Sequence, residues 1–569
     1  MSICGKEMKL SPNEKIAGLL APLFALRTED DLGIGDVEAL RQFIDWAHPL
    51  GFRLVQLLPI NETGGDHSAY NAISSRAIDP TTLHLAPGSP ADLSQKIFDE
   101  VTGGFDLTAL RRGSVHYEIV KPLKKKLLEH AFARFVKNAP NESFDSFCRD
   151  ENDWLDDYTL FRVLMELHGE RETWDGWPQN SLAAASDWLN SLGQEERTRM
   201  EERCQFFRYV QWIAHEQWRA VKGFAEERGV ALMGDVPFGV SYYSADVFAH
   251  PESFALDWSG GAPPEPYFKD DEFTQKWGQN WGIPIYHWNL MRTRDFAWWR
   301  QRIRGVKEIF HIFRIDHILG FYRIYAFPWR PTRNAEFLPL TWEEMLAHTG
   351  GRAPQFTPRD DSNRENCEQN RREGEEYLRV VLDEAGAARV VGEDLGTVPD
   401  YVRPSLQSLG IAGFKIPQWE NDQEERPIPG GQYQRLSVAT FATHDHKPVR
   451  ALWEEAFEED SETAGQSRHD LNKIAAFASL PQPNETTDYL RDFYPAIFAA
   501  LFQSESWIAI VMITDLLGRK DRFNVPGTSA NSNWTRRLHT TVKKLGGGHA
   551  LKRQLHLVQD LLQKTGRAD

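Results

Sequence analysis

The chain has 569 residues, and its 82 acidic side chains outnumber its 65 basic ones, which gives a formal net charge of −17. A balance this acidic repels phosphate groups and argues against nucleic acids and anionic membrane surfaces as partners. No apolar run reaches the roughly 18 residues that a membrane-spanning helix requires, and a neutral substrate suits this charge best.

The cysteines and the first residues bear on the cellular compartment. Cys4, Cys148, Cys204 and Cys367 lie far apart without a C-x-x-C spacing, so neither a disulfide framework nor a zinc site is predicted. The first fifteen residues lack a basic segment followed by an apolar core, which is the pattern of a secretory leader. We therefore expect reduced thiols and a cytoplasmic protein.

Tryptophan is frequent, with 19 residues, and aromatic residues make up 12% of the chain. Many tryptophans stand beside Gly, Pro or Asp instead of inside apolar runs. Sugar rings have apolar faces that stack on such side chains. The composition therefore favours a carbohydrate ligand, although core packing is the alternative for any single Trp.

The first elements predicted along the chain are a helix and two strands. Asp36 precedes the periodic segment 37–46 and is expected to cap it as a helix. Residues 52–60 form an apolar run of strand length, and residues 82–85 form a shorter candidate strand. Tyr70 lies in the polar loop between them, where it is either a platform for a sugar ring or a tyrosine that packs within its own turn.

The middle of the chain departs from a simple β/α alternation. From residue 117 to 228, apolar residues recur at helical spacing, and we assign residues 86–228 to a helical insertion. Residues 231–240 are the next strand and carry Asp235. Residues 241–290 are rich in Gly, Pro and aromatic residues, including Trp258, and predict a long loop that acts as a lid or substrate platform.

Three apolar runs stop on acidic residues. Residues 309–324 contain Asp316, residues 389–395 contain Glu393, and residues 438–446 contain Asp445. A buried carboxylate is costly unless it is paired, so packing alone is a poor explanation for these acids. We interpret them as functional groups at strand ends, with Arg314 and His317 beside the first.

The remaining elements complete a barrel pattern. Helices are predicted at 298–310 and 377–385, and further strands at 410–417 and 507–516, while residues 340–376 form a polar insertion. The alternation predicts an α/β fold, a (β/α)8 barrel with large, mostly helical insertions on the catalytic side. No Pro/Ser-rich linker divides the chain, so residues 1–569 are expected to form one catalytic unit.

Acids that converge at the carboxyl ends of barrel strands can divide the work of glycoside chemistry. Crowded carboxyls shift one another's pKa, so that one stays protonated as a proton donor while another acts as the nucleophile. A retaining mechanism needs such a pair about 5 to 5.5 Å apart. Arg314 lies on the same strand face as Asp316 and is expected to orient it; the alternative is a structural ion pair.

Two histidines flank the third acid. His444 and His446 lie two residues apart and in principle could bind a metal together with nearby acids. The absence of a phosphate-binding Gly-rich loop and the aromatic excess favour sugar instead. We predict that His444 contacts a sugar hydroxyl, that His446 is either a similar contact or a structural histidine, and that neither metal nor cofactor takes part.

At these residues the chain resembles the 4-α-glucanotransferases of glycoside hydrolase family 77, also called amylomaltases or disproportionating enzymes. The resemblance covers most of the chain and rests on these motifs, in order: LGIGD, VQLLPI, YNAISSRA, VHYEIVKPLKKKLL, GDVPFGVSYYSADVF, GAPP, WGIPIYHW, FRIDHILGF, GEDLG, THDH, DLLG and NVPGT followed by NW.

The resemblance implies that Asp316 is the nucleophile, Glu393 the acid/base and Asp445 the stabiliser of the transition state. It also implies that the segment 258–268 shapes the acceptor side and that no cofactor or metal is required. Our predicted substrate-binding residues are Tyr70, Asp235, Trp258, Arg314, His317 and His444. The implied partners are a malto-oligosaccharide or other α-1,4-glucan donor and a glucose or glucan acceptor, bound by a monomer or homodimer.

Two features depart from the family pattern and bear on acceptor choice. His446 and Lys447 follow THD where the family has Asn and Asp, and the segment 349–376 is longer and more polar than usual. The same acids would also serve an α-amylase-type hydrolase, so the preference for transfer rests on the resemblance. A glucan-binding scaffold and a metal-dependent barrel enzyme are two further functions that the sequence leaves open.

Overall fold

The computed structural model describes residues 8, 10–138, 140–264, 271–387, 389–458, 463–526 and 532–568. Within them lie twelve strands: β1 (Ile16–Leu20), β2 (Leu54–Gln56), β3 (Ala231–Val236), β4 (Phe254–Ala262), β5 (Gln279–Tyr286), β6 (Ile312–Ile315), β7 (Ile324–Phe327), β8 (Gln355–Thr357), β9 (Arg389–Gly392), β10 (Ala412–Lys415), β11 (Ser437–Ala439) and β12 (Ile508–Met512).

Eight of these strands close into a parallel barrel in the order β1-β12-β11-β10-β9-β6-β3-β2. Their sequences are apolar at nearly every position, and β1, β3 and β12 are buried along their whole length. Burial on both faces is typical of parallel strands that are covered by helices. The predicted (β/α)8 barrel is confirmed.

Seven of the eight predicted strands overlap barrel strands, and one is wrong. Residues 82–85 are not a strand, because Asp79 caps a turn at Pro80–Thr82 by accepting a hydrogen bond from the Thr81 N–H over 2.8 Å. The first barrel strand is instead Ile16–Leu20. Its five apolar residues show neither strand nor helix periodicity, since both of its faces are buried.

The described helices surround the barrel and build its insertions. They are α1 (Val37–Ala47), α2 (Gln95–Thr102), α3 (Leu107–Arg112), α4 (Tyr117–Phe135), α5 (Glu142–Asp150), α6 (Asn152–Leu167), α7 (Leu182–Ser191), α8 (Gln194–Glu227), α9 (Ala245–Ala249), α10 (Glu272–Trp277), α11 (Trp288–Thr293), α12 (Ala297–Ile309), α13 (Asn334–Phe337), α14 (Trp342–His348), α15 (Arg364–Ala385), α16 (Val402–Leu409), α17 (Val449–Ala456), α18 (Ala464–Phe477), α19 (Tyr494–Gln503), α20 (Ile513–Leu516) and α21 (His549–Lys564).

The predicted cap of the first helix is confirmed, because the Asp36 carboxylate accepts hydrogen bonds from the N–H groups of Glu38 and Ala39. Helices α2 to α8 fall within residues 86–228. No described helix is long and apolar enough to cross a membrane.

The segment 241–290 is not one irregular loop. It contributes β4 and β5 to an antiparallel sheet with the order β5-β4-β7-β8. Strand β4 was not predicted because it contains glycine, which is uncommon in strands. At Gly261 a Cβ would lie 1.8 Å from the Gln279 carbonyl oxygen, so only glycine permits the close pairing of β4 with β5. Residues 265–268 of the predicted acceptor-side segment lie outside the described residues.

The polar insertion is largely helical. Helix α15 begins at Arg364, where Asn363 caps it, thirteen residues before the predicted start. Its first turns lack apolar periodicity because ion pairs spaced along the helix, such as Arg371 with Glu368 and Glu375, support them instead.

Candidate active site

Two of the three predicted catalytic acids directly follow neighbouring barrel strands. Ile315 of β6 pairs with Gly392 of β9, so Asp316 and Glu393 are the next residues on each strand. The Asp316 N–H donates to the Val236 carbonyl over 2.9 Å, and the Glu393 N–H donates to the Ile315 carbonyl over 2.9 Å. These bonds continue the barrel ladder and fix both backbones.

Arg314 links the nucleophile candidate to a deeper carboxylate. One of its terminal nitrogens donates to both carboxylate oxygens of Asp235 at 2.8 Å, and the other donates to Asp316 Oδ1 at 2.7 Å. The side chain of Asp235 is fully buried, whereas that of Asp316 is 29% exposed. Burial opposes the guanidinium charge, but the two carboxylates outweigh it and raise the pKa of Arg314 well above its usual value.

Glu393 is held through both oxygens by backbone N–H groups. His317 donates to Oε2 over 2.9 Å, and Leu395 donates to Oε1 over 3.1 Å. His317 adopts a left-handed backbone with φ of 47°, an uncommon conformation for a non-glycine residue, and it turns this N–H toward the acid. Burial and the nearby Asp316 raise the pKa of Glu393 to about 7, against the opposing charge of Arg314.

Asp445 follows β11 and has a different environment. Its Oδ1 lies 3.2 Å from His444 Nε2 and accepts a hydrogen bond from the Asn524 amide over 2.6 Å. Burial would raise the pKa of Asp445, but His444 and these hydrogen bonds lower it well below the usual range. The Arg522 guanidinium donates to the Asp445 backbone carbonyl.

Tyr70 and His444 form one wall of the site. Their rings are nearly parallel, at 9°, with centroids 4.9 Å apart, and Trp534 packs against both. The Tyr70 hydroxyl donates to Asp235 Oδ2 over 2.6 Å. This wall therefore joins two of the predicted binding residues, Tyr70 and His444, to the Asp235 carboxylate that Arg314 holds.

Trp258 belongs to the antiparallel sheet and not to the barrel. It is on β4, where the Arg352 guanidinium lies 5.7 Å from its ring centroid. Trp281, on β5, was not among the predicted site residues. Its ring meets the His317 ring edge-on with centroids 4.8 Å apart, and 40% of the residue is exposed. It is the first residue of the motif WGIPIYHW, but only the fold brings this Trp beside His317.

The residues after Asp445 also have structural partners. His446 Nδ1 accepts a hydrogen bond from the Thr443 N–H over 2.9 Å, and its ring meets the half-exposed Trp419 edge-on. Burial lowers the pKa of His446 to about 4, which favours a neutral ring. Lys447 pairs with Glu455 of α17. The described residues place neither His444 nor His446 in a group of three side chains with metal-ligand spacing.

Comparison with known proteins identifies the family. A family model described as 4-alpha-glucanotransferase, glycoside hydrolase family 77, matches residues 21–542. The 4-alpha-glucanotransferase of Chlamydia caviae is 31% identical over 93% of this chain and 91% of its own. That of Thermus thermophilus is 28% identical over 92% of this chain and 94% of its own.

Solved structures agree in fold. Amylomaltase from Streptococcus agalactiae, in complex with acarbose, matches with a TM-score of 0.72 and 20% identity, covering 98% of this chain and 100% of that one. Amylomaltase from Corynebacterium glutamicum matches with a TM-score of 0.75 and 20% identity, covering 97% of this chain and 77% of that one.

Proposed function

The chain belongs to the 4-alpha-glucanotransferases of glycoside hydrolase family 77. We propose that the site at the carboxyl ends of its barrel strands, here called the barrel mouth, transfers α-1,4-glucan segments from a malto-oligosaccharide to the 4-hydroxyl of a glucose or glucan acceptor. One observation carries the assignment of roles. Arg314 orients the Asp316 carboxylate, while Glu393 on the neighbouring strand has a pKa raised to about 7. An oriented carboxylate thus lies beside a proton donor, as a retaining mechanism requires.

In the first half-reaction, Asp316 attacks the anomeric carbon of the donor. The bond from that carbon to the departing 4-oxygen breaks, and Glu393 gives its proton to this oxygen. Neighbouring strands lie about 4.8 Å apart, which is compatible with the short separation of a nucleophile and an acid/base. The product is a glycosyl ester on Asp316 and a shortened glucan.

In the second half-reaction, the acceptor 4-hydroxyl attacks the same anomeric carbon. Glu393 takes the hydroxyl proton, and the ester bond to Asp316 breaks, which restores both acids. Two displacements retain the α configuration.

Asp445 stabilises the positive charge that develops on the sugar in both transition states. The hydrogen bond from Asn524 and the adjacent His444 support its ionised form. The wall of Tyr70 and His444 presents an apolar surface to the sugar whose bond is cleaved. Asp235 acts beneath this surface by holding Arg314 in place.

Transfer in place of hydrolysis requires that a sugar compete with water for the glycosyl ester. Trp281 is exposed next to His317, the residue after the nucleophile, and we assign it to the acceptor side. An α-amylase-type hydrolase with the same acids is the alternative reaction. Trp258 remains a predicted acceptor-side residue, and the monomer or homodimer state and the cytoplasmic location remain predictions.

Incubation with maltotriose tests the proposal. Transfer leaves the total number of reducing ends constant while glucose and longer oligomers accumulate, whereas hydrolysis raises the reducing ends and yields only shorter products. Replacing Asp316 with Asn should abolish turnover while glucan still binds, and turnover that survives this change would refute its role as nucleophile.

A further inference from the structure

A second cluster of ligand-type side chains lies outside the barrel mouth. Glu151, His215 and Glu308 each offer one potential ligand atom, and these atoms lie within 4.8 Å of one another. Glu151 connects α5 and α6, His215 is on α8, and Glu308 is on α12. Three helical segments that are distant in sequence therefore converge at this point.

His215 is the member of the cluster that packing does not explain. The residue is only 2% exposed, and neither ring nitrogen has a hydrogen-bond partner among the described residues. A buried polar group without a partner costs stability. Burial, with Arg219 and Arg76 nearby, lowers the pKa of His215 to about 3, so the ring is neutral and has a lone pair to give.

Each of the two carboxylates is oriented through one oxygen, and no hydrogen bond from a described residue reaches its other oxygen. Glu151 Oε2 accepts hydrogen bonds from Arg76 at 2.8 Å and from the Trp154 indole at 2.6 Å. Glu308 Oε2 accepts from Arg219 at 2.6 Å. Partners of this kind commonly fix the orientation of carboxylates that bind a metal.

Acidic residues outnumber basic ones in the cleft beside the cluster. A cleft that reaches Glu151 is lined by four acids, Glu142, Asp150, Glu151 and Glu216, and by one base, Arg219. Glu308 adds a fifth acid, so the two arginines at the cluster leave a net negative charge. Glu151 is the member of the cluster that lines this cleft.

We propose that Glu151, His215 and Glu308 bind a divalent transition-metal ion, best matched by Zn²⁺. One imidazole and two carboxylates are ligands that Zn²⁺ accepts, and a water from the cleft completes a tetrahedral site. The ion ties the helices of the segment 86–228 to α12, which leads directly into β6 and Asp316. Its role is to stabilise this packing, and the glucan reaction does not pass through it.

Cobalt provides a direct readout, because tetrahedral Co²⁺ absorbs visible light. The full-length protein is treated with a chelator, dialysed and titrated with Co²⁺, and Zn²⁺ is then added as a competitor. We expect saturable absorption at about one ion per chain, loss of that absorption on adding Zn²⁺, and a rise in melting temperature with Zn²⁺ but not with Mg²⁺.

Two variants and one matched control locate the site. His215→Phe keeps an aromatic ring between Phe147 and Trp154, and Glu308→Gln keeps the side-chain shape. Each should weaken Co²⁺ binding at least tenfold. Glu195→Gln, on the exposed face of α8, should bind Co²⁺ like the parent. No Co²⁺ absorption in the parent, undiminished binding in both cluster variants, or stabilisation by Mg²⁺ alone would each overturn the proposal.

Discussion

The backbone N–H of His317 donates to Glu393 Oε2 over 2.9 Å, so the residue that follows the proposed nucleophile positions the proposed acid/base. The two acids therefore do not occupy their places independently, because the left-handed turn at His317 directs this N–H toward the Glu393 carboxylate. A change in this turn is expected to alter proton transfer without removing either carboxyl.

The pH dependence of the reaction should report Glu393. Its pKa of about 7 lies above the usual value because of burial, and the first half-reaction needs the protonated form. We expect kcat/KM for maltotriose to fall as pH rises through about 7. A glycosyl fluoride donor needs no proton on its leaving group, so kcat/KM for that donor should not fall as pH rises through about 7. If kcat/KM falls equally with both donors, the titrating group is not Glu393.

Asp235 and Asp316 share one arginine but should differ in what they contribute. Asp235→Ala leaves Arg314 buried without its main partner, and we expect a loss of about 3 to 5 kcal/mol in the free energy of unfolding. Asp316→Asn, at a more exposed position with one hydrogen bond to Arg314, should abolish turnover at little cost in stability. Urea unfolding measures the free energy of unfolding of both variants, and incubation with maltotriose measures their turnover. Equal free energies of unfolding for the two variants would contradict the prediction.

The positions of the three proposed acids after barrel strands could be predicted from the sequence, because each belongs to a short apolar run. The residues that support them could not. Asn524 lies 79 positions beyond Asp445, and Trp281 lies on a strand of the second sheet, so only the closed fold brings them to the site. Strand β1 escaped prediction for a related reason, since an element buried on both faces carries no periodic pattern.

Asn524 should act on catalysis through Asp445. Its amide donates to Asp445 Oδ1 over 2.6 Å, and a hydrogen bond to a charged group contributes about 1.5 to 3 kcal/mol. Asn524→Ala is therefore expected to lower kcat by roughly tenfold to a hundredfold with little change in KM. Steady-state kinetics with maltotriose measures this split, and a rise in KM at constant kcat would show that Asn524 binds substrate instead.

Asp515 should make stability depend on pH. Burial raises its pKa to about 7, and its carboxylate accepts a hydrogen bond from the Val449 N–H over 2.7 Å at the start of α17. Because the pKa of Asp515 is higher in the folded protein than in the unfolded chain, where it is near 4, its protonated form stabilises the fold. This contribution to the free energy of unfolding is complete below pH 4 and is lost as pH rises to about 7. Asp515→Asn keeps the acceptor oxygen and removes the ionisation, so the melting temperature of the variant should fall less between pH 6 and pH 8 than that of the parent.

Trp281 offers a test of what makes this enzyme a transferase. Its exposed ring stands against His317, and we propose that it lies on the acceptor side. Stacking on a sugar would keep the acceptor in place and water away from the glycosyl ester. Trp281→Ala should therefore lower the ratio of transfer to hydrolysis, seen as rising reducing ends during incubation with maltotriose.

Trp342→Ala is the matched control. That Trp is half exposed but stacks on Trp277 and not on His317, and the variant should keep the ratio of transfer to hydrolysis of the parent. An unchanged ratio in Trp281→Ala, or an equal fall in both variants, would remove Trp281 from the acceptor side.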